Sequence, residues 1–280
     1  MPDHIQLAQQ LADARANKTQ VDSTPYDAIS SLTEAYELQT AAIACYPSRQ
    51  SGYKVGATNE GAQKLFNCDA PFYGPMFERD CCEPGAIIEL RSGVLGGEAE
   101  FAFLCGSDFP TNRNLSVEEL PDLVSRCHIA VEIVGRRTEG EGLPSLKAAV
   151  ADFGVHLMFL EGPEIPDWKT ADLAAVQVTA KTNGDETNSG SGAAVLGHPL
   201  NSLLWMHNAL QANGSGLKAG DWVSTGTCLG VIKPEVGTVE LSGGAEVTVC
   251  ISTTCSDAKP CLWSDELSAK RYNCRIAKAR

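Results

Sequence analysis

Apolar and polar positions alternate with two different periods along this chain. Over residues 4–17 and about 30–45 the apolar positions recur every three or four residues, through Leu7, Leu11 and Ala14, then Leu32, Ala35, Tyr36 and Ile43. That spacing predicts two helices, the second closed by Pro47 just beyond it. From Gly52 onward short β-rich runs alternate with Gly and Pro turns, at 86–90, 98–105, 127–134, 155–161, 174–181, 222–225 and 245–251. These predict strands of a mixed, mostly β core. Ser116 and Glu119 have the spacing of a capping box for a helix over about 117–126. Pro199 opens another helix, through Leu203, Leu204, His207 and Leu210, that stops at Asn213-Gly214, and His198 is expected to cap it. Asn183-Gly184 reads as a tight hairpin turn. The last stretch is polar and cysteine-containing, with a weak helical pattern from Leu267 to Ile276. The expected organisation is a helical N-terminal segment (1–50), a β-rich core (51–251) and a polar tail (252–280). The fold class is α+β with β dominant.

One strand carries chemistry. In Gly96-Gly97-Glu98-Ala99-Glu100-Phe101-Ala102-Phe103 the two acids face one side, while Ala99, Phe101 and Phe103 face the other, toward a core. A third acid, Glu132, stands alone in the β-branched run Ile129-Ala130-Val131-Glu132-Ile133-Val134. A single glutamate of this kind needs only a solvated strand face. Three acids in two apolar strands need a positive partner, because buried charges are paired or bound to metal. A hard divalent cation with oxygen ligands fits that need. Arg137 follows the Glu132 strand, where it can pair with an acid or with a substrate.

Composition narrows the class. The 280 residues are 43% hydrophobic, enough for a substantial core. The 22 basic and 35 acidic residues give a net charge of −13. With this acidic balance no nucleic-acid or acidic-membrane partner is expected, because such surfaces need clustered Lys and Arg. The N-terminus has no basic start with an apolar stretch after it, and no apolar run reaches the roughly 20 residues of a membrane span. The 11 cysteines lack zinc or redox CxxC spacing. A cytoplasmic enzyme with reduced thiols is the expectation.

Several segments together resemble a known family. They are Ala35-Tyr36-x-x-Gln39, Gly52-Tyr53-Lys54-Val55-Gly56, Glu98-Ala99-Glu100, Val131-Glu132-Ile133-Val134, the run Gly192-Ala193-Ala194-Val195-Leu196-Gly197-His198-Pro199-Leu200-Asn201, and Gly220-Asp221-Trp222-Val223-Ser224-Thr225-Gly226-Thr227. In this order and spacing, over roughly residues 30–250, they resemble the 2-keto-4-pentenoate hydratase and 2-oxo-3-hexenedioate decarboxylase group of the fumarylacetoacetase superfamily. The resemblance implies a mixed, rolled β-sandwich core with flanking helices. It implies Mg²⁺ or Mn²⁺ on Glu98, Glu100 and Glu132, and a 2-oxo or 2-hydroxydienoic acid as substrate. It implies that Lys54, in a Tyr-Lys-x-Gly turn, clamps the substrate or shuttles a proton. Thr225 and Thr227 are then donors to a substrate carboxylate, and Asp152 helps to shape the pocket. The implied reaction is hydration of a 2-hydroxy-2,4-dienoate to a 4-hydroxy-2-oxo acid. The alternatives are decarboxylation of a 2-oxo-enedioate, or a degenerate subunit that binds a metal or a 2-oxo acid. Hydratases and decarboxylases of this group associate, so a pathway partner is implied too. A homo-oligomer is expected, because the helix from Pro199 is apolar on more than one face. The chain departs from the family at Phe72, Phe153 and Gly135, where polar residues are usual. Rings at 72 and 153 lining the site would favour a substrate with an apolar distal end.

Overall fold

The computed structural model describes residues 4–82, 86–243 and 247–255, the last stretch as backbone only. Three helices come first: α1 (His4–Asn17), the single turn α2 (Thr24–Asp27) and α3 (Leu32–Cys45). The Ser31 hydroxyl accepts the Glu34 N–H and starts α3. Then follow β1 (Gln50–Gly56), α4 (Glu60–Phe66), β2 (Phe72–Phe77), β3 (Cys81–Cys82), β4 (Ile87–Leu90), β5 (Val94–Cys105), α5 (Leu120–Leu123) and β6 (Val124–Gly135). The remainder is α6 (Leu146–Ala151), β7 (His156–Leu160), β8 (Gln177–Thr182), β9 (Asp185–Ser191), α7 (Pro199–Ala212), β10 (Trp222–Ile232), β11 (Gly237–Gly243) and β12 (Val247–Cys255).

The strands form two sheets. The larger runs β2-β1-β10-β5-β6-β7-β3 and the smaller β4-β12-β11-β8-β9. β5 and β6 are its long central antiparallel pair, with Glu98 opposite Glu132. Ala99, Phe101, Phe103, Ile129 and Val131 on one face of this pair meet Val178, Ala180, Val239 and Leu241 of the smaller sheet in the main core. A second core joins Leu7, Leu11, Leu38 and Ala42 of the N-terminal helices to Phe72, Phe77, Val150 and Phe153. The N-terminal segment is therefore built onto the body of the molecule. The architecture is the mixed, curled sheet with flanking helices that the sequence predicts. No described helix is long and apolar enough to cross a membrane.

Several local expectations change. The helix over 117–126 is only a 3₁₀ turn, Val117–Glu119, and the short α5, although the Ser116–Glu119 capping box is present. β6 takes over at Val124, where Val124 pairs with Cys105, so strand pairing outweighs local helical propensity. The turn expected around Lys54 is a strand, β1, between β10 and β2. β2, β9 and β11 are further strands that the apolar pattern misses. β12 extends past residue 251 to Cys255. The expected helix from Leu267 to Ile276 lies outside the described residues.

Candidate metal centre

The outer face of the larger sheet, turned away from the main core, carries the acids. Alternation along β5 places Glu98 and Glu100 there, and the β5–β6 register brings Glu132 beside them. One oxygen from each of the three carboxylates lies within 4.8 Å of the others. Glu100 and Glu132 are fully buried, whereas Glu98 keeps part of its surface open.

Each buried acid has one oxygen tied and one free. Glu100 Oε2 accepts the Ser224 hydroxyl at 2.5 Å and the Gly226 N–H at 2.9 Å. The β10–β5 register shifts between Ser224 and Thr227, and this irregularity turns the Gly226 N–H inward. Gly226 has φ +100°, and a Cβ there would meet the Thr58 hydroxyl at 2.1 Å, so the position requires glycine. Glu132 Oε1 receives His156 Nδ1 at 2.9 Å, with Lys54 Nζ at 3.7 Å. Glu100 Oε1 and Glu132 Oε2 have no hydrogen-bond partner. Burial, reinforced by the neighbouring carboxylates, pushes Glu98 and Glu100 well above the usual carboxylate range. Burial also raises Glu132, while Lys54 opposes that rise. Free buried oxygens and mutual repulsion are what a hard cation relieves, so this donor set fits a divalent ion.

Lys54 points to the same face, 2% exposed, with Nζ 4.9 Å from the centre of the Phe72 ring. Phe72 therefore borders the site. Phe153 does not line it: the ring is fully buried in the second core, under the Arg15 and Arg137 guanidiniums. Arg137 and Asp152 are brought together behind the acids. The Arg137 backbone N–H donates to Asp152 Oδ2 at 2.5 Å, and its guanidinium to Oδ1 at 2.8 Å, both side chains being buried. The Thr225 hydroxyl faces away and donates to the Phe101 carbonyl at 2.8 Å. The Thr227 hydroxyl donates to the Gly230 carbonyl at 3.0 Å. Both threonine side chains are thus committed to backbone. His198 caps α7, its Nδ1 accepting the Leu200 N–H at 3.1 Å.

Three contributors escape a reading of the sequence alone: Ser224, Gly226 as an N–H donor, and His156. Strand parity offers a signal for the first, since residues 222 and 224 share a face. For His156 the only signal is a lone ionisable residue opening the apolar run His156-Leu157-Met158-Phe159-Leu160.

Known proteins resemble this chain in sequence and in fold. The fumarylacetoacetate (FAA) hydrolase C-terminal family matches residues 71–259. The 2-hydroxyhexa-2,4-dienoate hydratase of Comamonas testosteroni is 29% identical over 194 residues, 68% of this chain and 72% of that protein. The 2-keto-4-pentenoate hydratase 1 of Dechloromonas aromatica is 30% identical over 206 residues, 71% of this chain and 76% of that one. The structure of 4-oxalocrotonate decarboxylase from Pseudomonas putida G7, complexed with magnesium and adipate, superposes with a TM-score of 0.80 at 20% identity, covering 90% of this chain and 97% of that one. The chain belongs to the fumarylacetoacetate hydrolase C-terminal family and is an enzyme on its 2-keto-4-pentenoate hydratase-like side.

Proposed function

We propose that the protein is a metal-dependent hydratase that converts a 2-hydroxy-2,4-dienoate to a 4-hydroxy-2-oxo acid. The observation that carries this reading is the trio Glu98, Glu100 and Glu132, two of them with a free buried oxygen, beside the buried Lys54. Glu98, Glu100 and Glu132 would hold Mg²⁺ or Mn²⁺. Such an ion supplies the positive charge that steadies negative charge developing on a 2-oxo acid. Lys54 Nζ sits where it can fix the substrate carboxylate and pass a proton along the dienol. The Phe72 ring beside it keeps water away from one side and offers no partner to a second carboxylate. The partly open Glu98 marks the side from which substrate reaches the acids. The hydratase relatives support the reaction class. The seven cysteines whose side chains are described are all free thiols, which supports a reducing, cytoplasmic setting. Assembly into a homo-oligomer, and association with a decarboxylase or hydratase of the same pathway, belong to the same reading.

The test follows loss of the ultraviolet dienol band of 2-hydroxypenta-2,4-dienoate with Mg²⁺ or Mn²⁺ added, beside a CO₂-release assay on a 2-oxo-enedioate. Metal-dependent loss of the band without CO₂ is the expected result. The dicarboxylate should be the poorer substrate, because its second charge would be buried beside Phe72 without a partner. CO₂ release as the faster reaction would turn the assignment to the decarboxylase. No turnover on either acid, with metal bound, would indicate the degenerate subunit.

A further inference from the structure

Glu132 is oriented from behind by a side chain outside the acid trio. His156 opens β7, is fully buried, and places Nδ1 2.9 Å from Glu132 Oε1. It is the only hydrogen-bond donor to that carboxylate among the described residues, since Lys54 stands 3.7 Å off. The ring proton is on Nδ1, because the other tautomer would set a lone pair against a carboxylate oxygen. Nε2 is then an acceptor, and it has no partner. The ring is itself fixed. Its backbone carbonyl accepts from the Arg15 guanidinium at 3.0 Å and from Arg137. The three residues before it, Phe153, Gly154 and Val155, all have positive φ (51°, 66° and 57°). That conformation is costly for a β-branched valine and persists only where its surroundings enforce it.

We propose that His156 is a positioning residue that holds Glu132 Oε1 through Nδ1 and so presents Oε2 to a divalent cation, as Ser224 and Gly226 do for Glu100. The inference rests on the reading of the three acids as a metal site. It assigns no direct catalytic contact to His156, which lies behind Glu132 with no exposed surface. Partners that orient a metal ligand typically contribute about 10- to 100-fold in affinity.

The experiment is calorimetric titration of Mn²⁺ into the whole chain and three variants, with thermal unfolding of each metal-free protein as the check on folding. His156→Leu removes the donor and keeps the bulk. His156→Asn places an amide N–H near the position of Nδ1. His156→Gln places one nearer to Nε2. The expected result is about 10- to 100-fold weaker Mn²⁺ binding for His156→Leu and His156→Gln, and about 3-fold or less for His156→Asn. If His156→Leu fails to fold, the Asn–Gln pair alone decides. Equal affinities in Asn and Gln, or wild-type affinity in Leu, overturn the positioning role while leaving the metal site standing. An unaltered chain that binds no Mn²⁺ removes the metal reading and this inference with it.

Discussion

Lys54 is almost without solvent, and two neighbours hold its Nζ. Glu132 Oε1, 3.7 Å away, stabilises the ammonium, while the face of Phe72 holds it in a dry setting. A group in that position can clamp an anion or transfer a proton to it. Lys54→Met should therefore lower turnover of the dienol on the order of 100-fold or more, the usual scale of a general acid–base group. Mn²⁺ affinity should hold or tighten, because a positive charge beside the acids is lost while His156 still holds Glu132. Near-normal turnover in this variant would leave Lys54 as a structural counter-ion only. The acids were legible in the sequence because a charge in an apolar strand is expensive without a purpose, whereas Lys54 was singled out only by the family resemblance of its Tyr-Lys-x-Gly segment. The Thr225 hydroxyl is taken by the Phe101 carbonyl, while Ser224 shares the acid face by strand parity and Gly226 reaches Glu100 through the break in register between Ser224 and Thr227. His156 was hidden because its partner, Glu132, is 24 positions away and only the β6–β7 pairing brings them together.

At the scale of elements, the amphipathic helices α1, α3 and α7 and the Asn183-Gly184 hairpin were readable from period and turn chemistry. β9 was not: Asp185-Glu186-Thr187-Asn188-Ser189-Gly190-Ser191 is a polar edge strand with no apolar face to detect. α1 does more than pad the second core. Its Arg15 donates to Asp80 Oδ2 at 2.7 Å and to the His156 carbonyl, with the guanidinium over the Phe77 and Phe153 rings. Burial and the charge of Arg137 lower its pKa to about 10, yet Asp80 keeps it paired. The Arg15 and Asp80 side chains are only 2% and 16% exposed, so deleting one partner strands the other. Arg15→Met is expected to cost about 3–5 kcal/mol, the range for a broken buried pair. Urea unfolding measures it. Adding Asp80→Asn should recover part of that loss, since no unpaired charge then remains. A cost below about 1 kcal/mol would mean that solvent already satisfies Asp80.

For the whole molecule, the case for assembly moves away from α7. In the folded chain Leu203, Met206 and Leu210 are buried, and Leu204 and Trp205 pack against the main core, so this chain itself uses more than one face of the helix. Exposed apolar surface lies elsewhere. Ile87 on β4, Val231 near the end of β10 and Val236 in the following connection are 50%, 41% and 58% exposed. These segments adjoin, because Ile88 and Leu90 of β4 line one groove with Ile232, Pro234 and Val239. Val231 also stands opposite Glu98 in the β10–β5 register, at the open side of the acid trio. Apolar side chains gathered at one end of a highly charged molecule mark a contact surface. A second copy is an occupant that meets the same surface with its own, as two-fold assemblies do. Sedimentation at micromolar protein should therefore give a species heavier than the 29.7 kDa chain. The double variant Ile87→Asp, Val236→Asp, which leaves the strand position opposite Glu98 untouched, should shift it toward one chain. A single-chain species for the unaltered protein would refute the assembly. An unshifted oligomer in the double variant would place the interface on another face.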